Sequence, residues 1–274
     1  MLPLHSIDGA AIGAAQSSYA LLAALLALLV VGGLLVARRL SGGVSTWAWG
    51  GVGFVLSQVA RLPFLTVVNA LVIGAVAPTP GSVSWFIAVV IASFSAGVFE
   101  EGSRAFILSR AARSVRSERS GVAFGLGHAG VEALIFTLVP TFAALLLLGS
   151  VADGSAYENL PEESLQQLET AITFLGSQNV AASLLASSER VFATLLHVVL
   201  SLTVMQAVTQ ISDRSSLIRA LAYPVVLHGT ANLVTVLLVP AVGVFVAEAA
   251  FAGITAVAVM RYLRARAKVT ETDS

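Results

Sequence analysis

Residues 99–104 read FEEGSR, so Glu100, Glu101 and Arg104 bring two carboxylates and a guanidinium into a stretch that is otherwise apolar from about Ser82 onward. Two later segments carry groups of complementary chemistry. FGLGH at 124–128 ends in His128, with Glu132 one helical turn beyond it, and HGTAN at 228–232 places His228 and Asn232 one turn apart on a shared face. A carboxylate in a low-dielectric site has its pKa raised, and a nearby imidazole can share or shuttle a proton, so a Glu–His pair can deprotonate a water near neutral pH. A second His with an Asn supplies hydrogen-bond donors for the oxyanion that forms when that water attacks a carbonyl. Ordinary helix packing requires no such set.

The elements that must position these groups are membrane helices. Of the 274 residues, 57% are hydrophobic and 11% charged, and the apolar runs approach the ~20 residues that cross a hydrocarbon core of about 30 Å. The runs are continuous and rich in Leu, Ala and Val, unlike the short alternating segments of a closed β-barrel. The expected fold class is all-α: a polytopic transmembrane helical bundle, one integral membrane domain over 1–274. Seven spans are expected, at about 18–37, 46–76, 83–108, 121–148, 183–209, 220–239 and 241–260. The second is too long for one straight crossing and contains Arg61 and Pro63, which predicts a tilted, kinked or broken helix. The first run has no basic residue ahead of it and Arg38 and Arg39 behind it, so it reads as a retained helix rather than a cleaved signal.

Charge tests this count independently. Twelve of the fifteen Lys and Arg fall in segments that alternate counting puts on one side: Arg38, Arg39, Arg110, Arg113, Arg116, Arg119, Arg214, Arg219, Arg261, Arg264, Arg266 and Lys268. The other three, Arg61, Arg104 and Arg190, lie within spans. No Lys or Arg is left for the opposite side, whose longest loop, at about 150–182, is acidic through Asp153, Glu158, Glu162, Glu163 and Glu169. The positive-inside rule then sets the N-terminus outside, the C-terminus in the cytoplasm and that loop outside, in the plasma membrane of the cell. Within the loop, PEESLQQLETAITFLG predicts a short surface helix with Pro161 in its first turn. The formal net charge is zero, so no global basic field points to nucleic acid as a partner, and the absence of cysteine removes thiol nucleophiles and thiolate metal sites.

With these spans, Glu100, Glu101, His128 and His228 all sit at a depth of about 10–15 Å from the cytoplasmic ends of their helices. An unpaired charge there costs about 2.5–3.5 kcal/mol even on an insertion scale, so such residues face a bundle interior or water. Arg61 is expected to be a counter-ion for a buried glutamate, and Glu248 either a partner of Arg61 or a lipid-facing misfit. Glu189 and Arg190 are expected near the outer surface in an interhelix network, with His197 nearer mid-membrane. The glycines of GVAFGLGHAG are expected to allow close helix approach.

EEGSR, FGLGH and HGTAN, in this order, resemble the motifs of the CAAX-protease and bacteriocin-processing superfamily of intramembrane endopeptidases. The closer resemblance is to the YhfC branch, through the Glu-Glu-x-x-Arg spacing, GLGHAGVE and ERVFATLLH at 189–197, over a motif-bearing core at about 83–239. The resemblance implies hydrolysis of a peptide bond in a membrane-anchored protein or peptide substrate. It implies catalytic Glu100, Glu101, His128, His228 and Asn232: Glu100 as general base on water, assisted by His128, and His228 with Asn232 as an oxyanion hole. Arg104, Glu132 and His197 would be supporting residues. The wider superfamily has three residues between the second Glu and Arg where this chain has two, so either Glu100 or Glu101 is the partner of Arg104, and either is the base. Members of the branch are described both as glutamic proteases, which need no cofactor, and as metalloproteases; in the second case Glu100, His128 and His228 would hold zinc. Readings of other classes are a proton-coupled transporter or channel with a buried Glu/His relay, and a non-catalytic membrane binding protein.

Overall fold

The computed structural model describes residues 9–40, 42–74, 78–158 and 160–272. Residues 1–8 and the Lys268 side chain, both used above for orientation, lie outside the described residues. Nine α-helices are found among those described: α1 (Gly9–Arg38), α2 (Gly43–Val68), α3 (Val83–Arg110), α4 (Glu118–Ala133), α5 (Val139–Ala152), α6 (Glu162–Gly176), α7 (Val180–Gln210), α8 (Arg214–Val242) and α9 (Val244–Thr272), with no strand. Two wider π turns interrupt the α geometry. One, Asn69–Ile73, continues α2 and stops at Gly74, whose φ of 89° lies in the left-handed region. The other, Leu134–Leu138, joins α4 to α5.

Seven helical stretches are long and apolar enough to cross a membrane: Gly9–Arg38, Gly43–Leu71, Val83–Arg110, Glu118–Ala152, Val180–Gln210, Arg214–Val242 and Val244–Ala267. The expected number of spans and the all-α class are therefore found. In the second span the helix runs on through Pro63, and its departure from α geometry comes six residues later, in the π turn. The loop helix forms as α6, with Pro161 just ahead of its first turn rather than within it. Burial is inverted relative to a water-soluble protein: Leu28, Leu71 and Leu146 are 69%, 80% and 76% exposed, whereas Glu101, Arg104 and His128 are fully buried. Apolar side chains are turned outward because hydrocarbon is their solvent, and polar ones inward because only protein partners satisfy them there.

The chain divides into two compact units, residues 1–31 with 133–190, and 32–132 with 191–274. In the first, Tyr19, Leu22 and Leu26 of α1 pack with Ala144 and Leu148 of α5 and Ile172 of α6, and Ser183 Oγ donates to the Ser18 carbonyl at 2.7 Å. In the second, α3 packs against α2 and α8, and α8 against α9. Two helix crossings in this unit leave no room for a side chain. A Cβ on Gly127 would lie 1.8 Å from the Trp47 carbonyl oxygen, and one on Gly50 would lie 2.0 Å from the Phe124 carbonyl oxygen, so α2 and α4 meet backbone to backbone. A Cβ on Gly97 of α3 would lie 2.4 Å from the Val225 carbonyl oxygen of α8. These contacts bring His128 and His228 up to α3, as the glycine content of the motifs led one to expect.

Candidate active site

Four helices of the second unit supply the predicted residues: α3 Glu100, Glu101 and Arg104, α4 His128 and Glu132, α7 His197, and α8 His228 and Asn232. Glu100, His197 and His228 are nearly as buried as Glu101, Arg104 and His128. The polar groups are held by one another. Arg104 Nη1 donates to both oxygens of Glu101, at 2.9 and 2.7 Å, which settles the partner of Arg104 as the glutamate three residues back. Glu101 Oε1 also lies 2.9 Å from His228 Nδ1. Arg104 Nη2 lies 3.1 Å from His197 Nδ1, and His197 Nε2 approaches Glu132 Oε2 to 2.6 Å, off the line of a straight hydrogen bond. Glu100 Oε2 is 3.1 Å from His128 Nε2 and 3.8 Å from His228 Nε2. The rings of His128 and His197 have centroids 4.9 Å apart, and those of His197 and His228 5.2 Å apart, so the three imidazoles form one contiguous group.

Partner chemistry fixes the protons. A guanidinium carries only donors, so Arg104 makes His197 Nδ1 an acceptor and leaves that ring's proton on Nε2. In His228 the ionised Glu101 accepts a hydrogen bond from Nδ1–H, which leaves the Nε2 lone pair toward Glu100. His128 turns Nε2 to Glu100, and its Nδ1 is buried without a hydrogen-bond partner. Asn232, half-buried and one turn past His228, makes no side-chain hydrogen bond to the described residues. Its amide is therefore free to meet another molecule.

The sequence reading missed Gln58. This α2 residue is 7% exposed and donates from Nε2 to Glu100 Oε1 at 3.3 Å. Arg61 meets Gln58 Oε1, Ser95 Oγ and the Ala92 carbonyl, so its hydrogen-bonded path to Glu100 runs through the Gln58 amide. The signal was present as an uncharged amide three residues ahead of an intramembrane arginine, outside the motif-bearing segment. Glu189 and Arg190 pair with each other and belong to the first unit. Glu248 on α9 is half-buried.

Fold and site define the class: a polytopic helical membrane protein with carboxylates, imidazoles and guanidinium assembled inside its apolar interior. The family model for YhfC intramembrane metalloprotease matches residues 25–255, and the chain belongs to that family. That is a family of intramembrane peptidases. No curated protein and no solved structure matches the chain.

A metallopeptidase family implies a metal ion, and the donors can be tested against one. Glu100, His128, Glu132 and His197 each offer a ligand atom, all within 4.8 Å of one another. The protons separate them. His197 Nε2 carries a proton and so offers no lone pair, whereas His128 and His228 turn Nε2 to a shared carboxylate oxygen. The separations of 3.1 and 3.8 Å at Glu100 Oε2 bracket the ~3.3 Å expected between tetrahedral ligands with bonds near 2.0–2.1 Å. The carboxylate on the far side of His228 is the partner that metal-binding imidazoles ordinarily have. One carboxylate and two imidazoles suit a zinc-type ion, and the residues fit it.

Proposed function

We propose that the chain is a metal-dependent intramembrane endopeptidase that hydrolyses a peptide bond of a membrane-anchored protein or peptide, in the cell membrane, from a site opening to the cytoplasmic half of the bilayer. The observation that carries this is the meeting of His128 Nε2 and His228 Nε2 at Glu100 Oε2, 3.1 and 3.8 Å from it, in an apolar interior with Glu132 close to Glu100 and His128. Glu100, His128 and His228 would hold the ion. A divalent ion held there supplies Lewis-acid charge that makes water nucleophilic near neutral pH. Glu132 takes one proton from the attacking water, whose oxygen bonds to the scissile carbonyl carbon. His197, its tautomer fixed by Arg104, lies against Glu132 through Nε2 and holds the carboxylate in place. As the carbon–nitrogen bond breaks, Glu132 returns the proton to the leaving amine. The Asn232 amide donates to the carbonyl oxygen as charge builds on it, and Glu101 orients His228.

The test is cleavage of a single-span peptide by purified protein in liposomes. Chelation is expected to abolish cleavage and zinc to restore it. Glu132→Gln is expected to lower kcat by about 10²–10⁴-fold with zinc still bound, and Glu100→Ala to lose the zinc. Cleavage that survives chelation would overturn the metal reading in favour of Glu100 acting as base on water alone. Cleavage indifferent to Glu100→Ala, Glu132→Gln and His228→Ala would sink the site.

A further inference from the structure

The helix α2 lies outside the motif-bearing segment, yet it reaches the centre of the site through one side chain. Gln58 is nearly buried, with its carbonyl oxygen 3.3 Å from Arg61 Nη1 and its amide nitrogen 3.3 Å from Glu100 Oε1. The orientation of this amide is not free. A guanidinium has only donors, so the Gln58 oxygen must face Arg61, and the NH₂ group must face Glu100. Arg61 is itself held from α3, with Nε on Ser95 Oγ at 3.2 Å and Nη2 on the Ala92 carbonyl at 2.9 Å. Ser57 Oγ accepts a second bond from the same amide nitrogen at 3.0 Å.

We propose that Gln58 is a positioning residue for Glu100, locked by Arg61. By engaging Oε1 it fixes the carboxylate rotation that turns Oε2 to His128 and His228. The inference rests on the metal reading above, since its consequence is the affinity of the site for a divalent ion. A donor that orients a ligand carboxylate typically changes metal affinity by about 10–100-fold. Arg61 acts through Gln58, so the two are in series and their losses do not add.

Zinc affinity of the full-length protein in detergent, measured by competition with a chromogenic chelator, tests this beside thermal unfolding of the zinc-free protein. Gln58→Met, similar in length and without polar groups, is expected to weaken zinc binding about 10–100-fold. Gln58→Asn, one methylene too short, is expected to behave alike, Arg61→Met to weaken binding less, and Gln58→Met/Arg61→Met no more than Gln58→Met alone. Wild-type affinity in both Gln58 variants overturns the inference, as do additive losses, or a lowered unfolding temperature with affinity unchanged. If Gln58→Met does not fold, Gln58→Asn and Arg61→Met decide. A wild-type protein that binds no zinc defeats the metal reading itself, which the Gln58 variants alone never do.

Discussion

Arg104 lies wholly inside the second unit, with both oxygens of Glu101 on Nη1 and the Nδ1 of His197 on Nη2. A lysine ammonium can serve Glu101 but cannot reach His197 at the same time, because it is one point charge rather than a planar group with five donors. Arg104→Lys is therefore expected to keep the fold and lower kcat by about 10–100-fold, with KM nearly unchanged, because His197 loses its fixed tautomer and Glu132 its aim. Arg104→Met leaves the Glu101 carboxylate buried without its cationic partner and with only the His228 hydrogen bond, a loss of about 3–5 kcal/mol, and thermal unfolding of the purified protein separates the two variants. The identities at this scale were legible: EEGSR, His128 and His228 all meet in the structure. What the sequence left open was which glutamate pairs with Arg104, because positions three and four residues back lie on the same helix face. Side-chain rotamers decide between them. Gln58 was not read because it is uncharged, and its role depends on a helix remote in sequence.

Elements carry these residues only as accurately as they pack. Gly127 precedes His128 and rests on the Trp47 carbonyl, so Gly127→Val must push α4 off α2 and carry the imidazole with it. The overpacking costs about 1–3 kcal/mol, and peptidase activity is expected to fall further than stability, measured by cleavage rate and thermal unfolding on the same preparation. Gly102→Ala is the control within EEGSR: nothing lies within 4 Å of its added Cβ, and alanine is favoured over glycine inside a helix by roughly 0.5–1 kcal/mol. It should be neutral or slightly stabilising. At the start of α8, the exposed Asp213 is held down to about 2 from an ordinary 3.8 by the Ser215 hydroxyl and the Ser216 backbone N–H. A carboxylate with a depressed folded pKa contributes stability above its unfolded pKa and loses it as pH falls through the folded value. Asp213→Ala should therefore lower the unfolding temperature at neutral pH, by a margin that shrinks from about pH 4 toward about pH 2. The close-packing role of the FGLGH glycines was readable from composition, as was the helix after Pro161. The π turns were not, since the sequence marks a disruption near Pro63 but nothing in it distinguishes a kink at the proline from a wider turn six residues later.

For the whole molecule, the seven apolar helices follow from run length alone, and the inward polar set explains why the runs are interrupted where they are. Orientation rests on a different physical quantity, the distribution of basic residues. Arg110, Arg113, Arg116 and Arg119 crowd the connection between the third and fourth spans, whereas the segment between the fourth and fifth spans carries Asp153, Glu158, Glu162, Glu163 and Glu169 and no Lys or Arg. Basic loops resist translocation, so the first connection is expected in the cytoplasm and the second outside. The absence of cysteine gives a clean background for testing this. Gln167→Cys, on an exposed face of α6, should react with an impermeant maleimide in intact cells, and Ser114→Cys, exposed between α3 and α4, only after permeabilisation. The reverse pattern would overturn the orientation and, with it, the placement of the site toward the cytoplasm. The motif residues would still meet as described, because their contacts depend on helix packing and not on which way the bundle was inserted; only the side from which a substrate segment approaches would change.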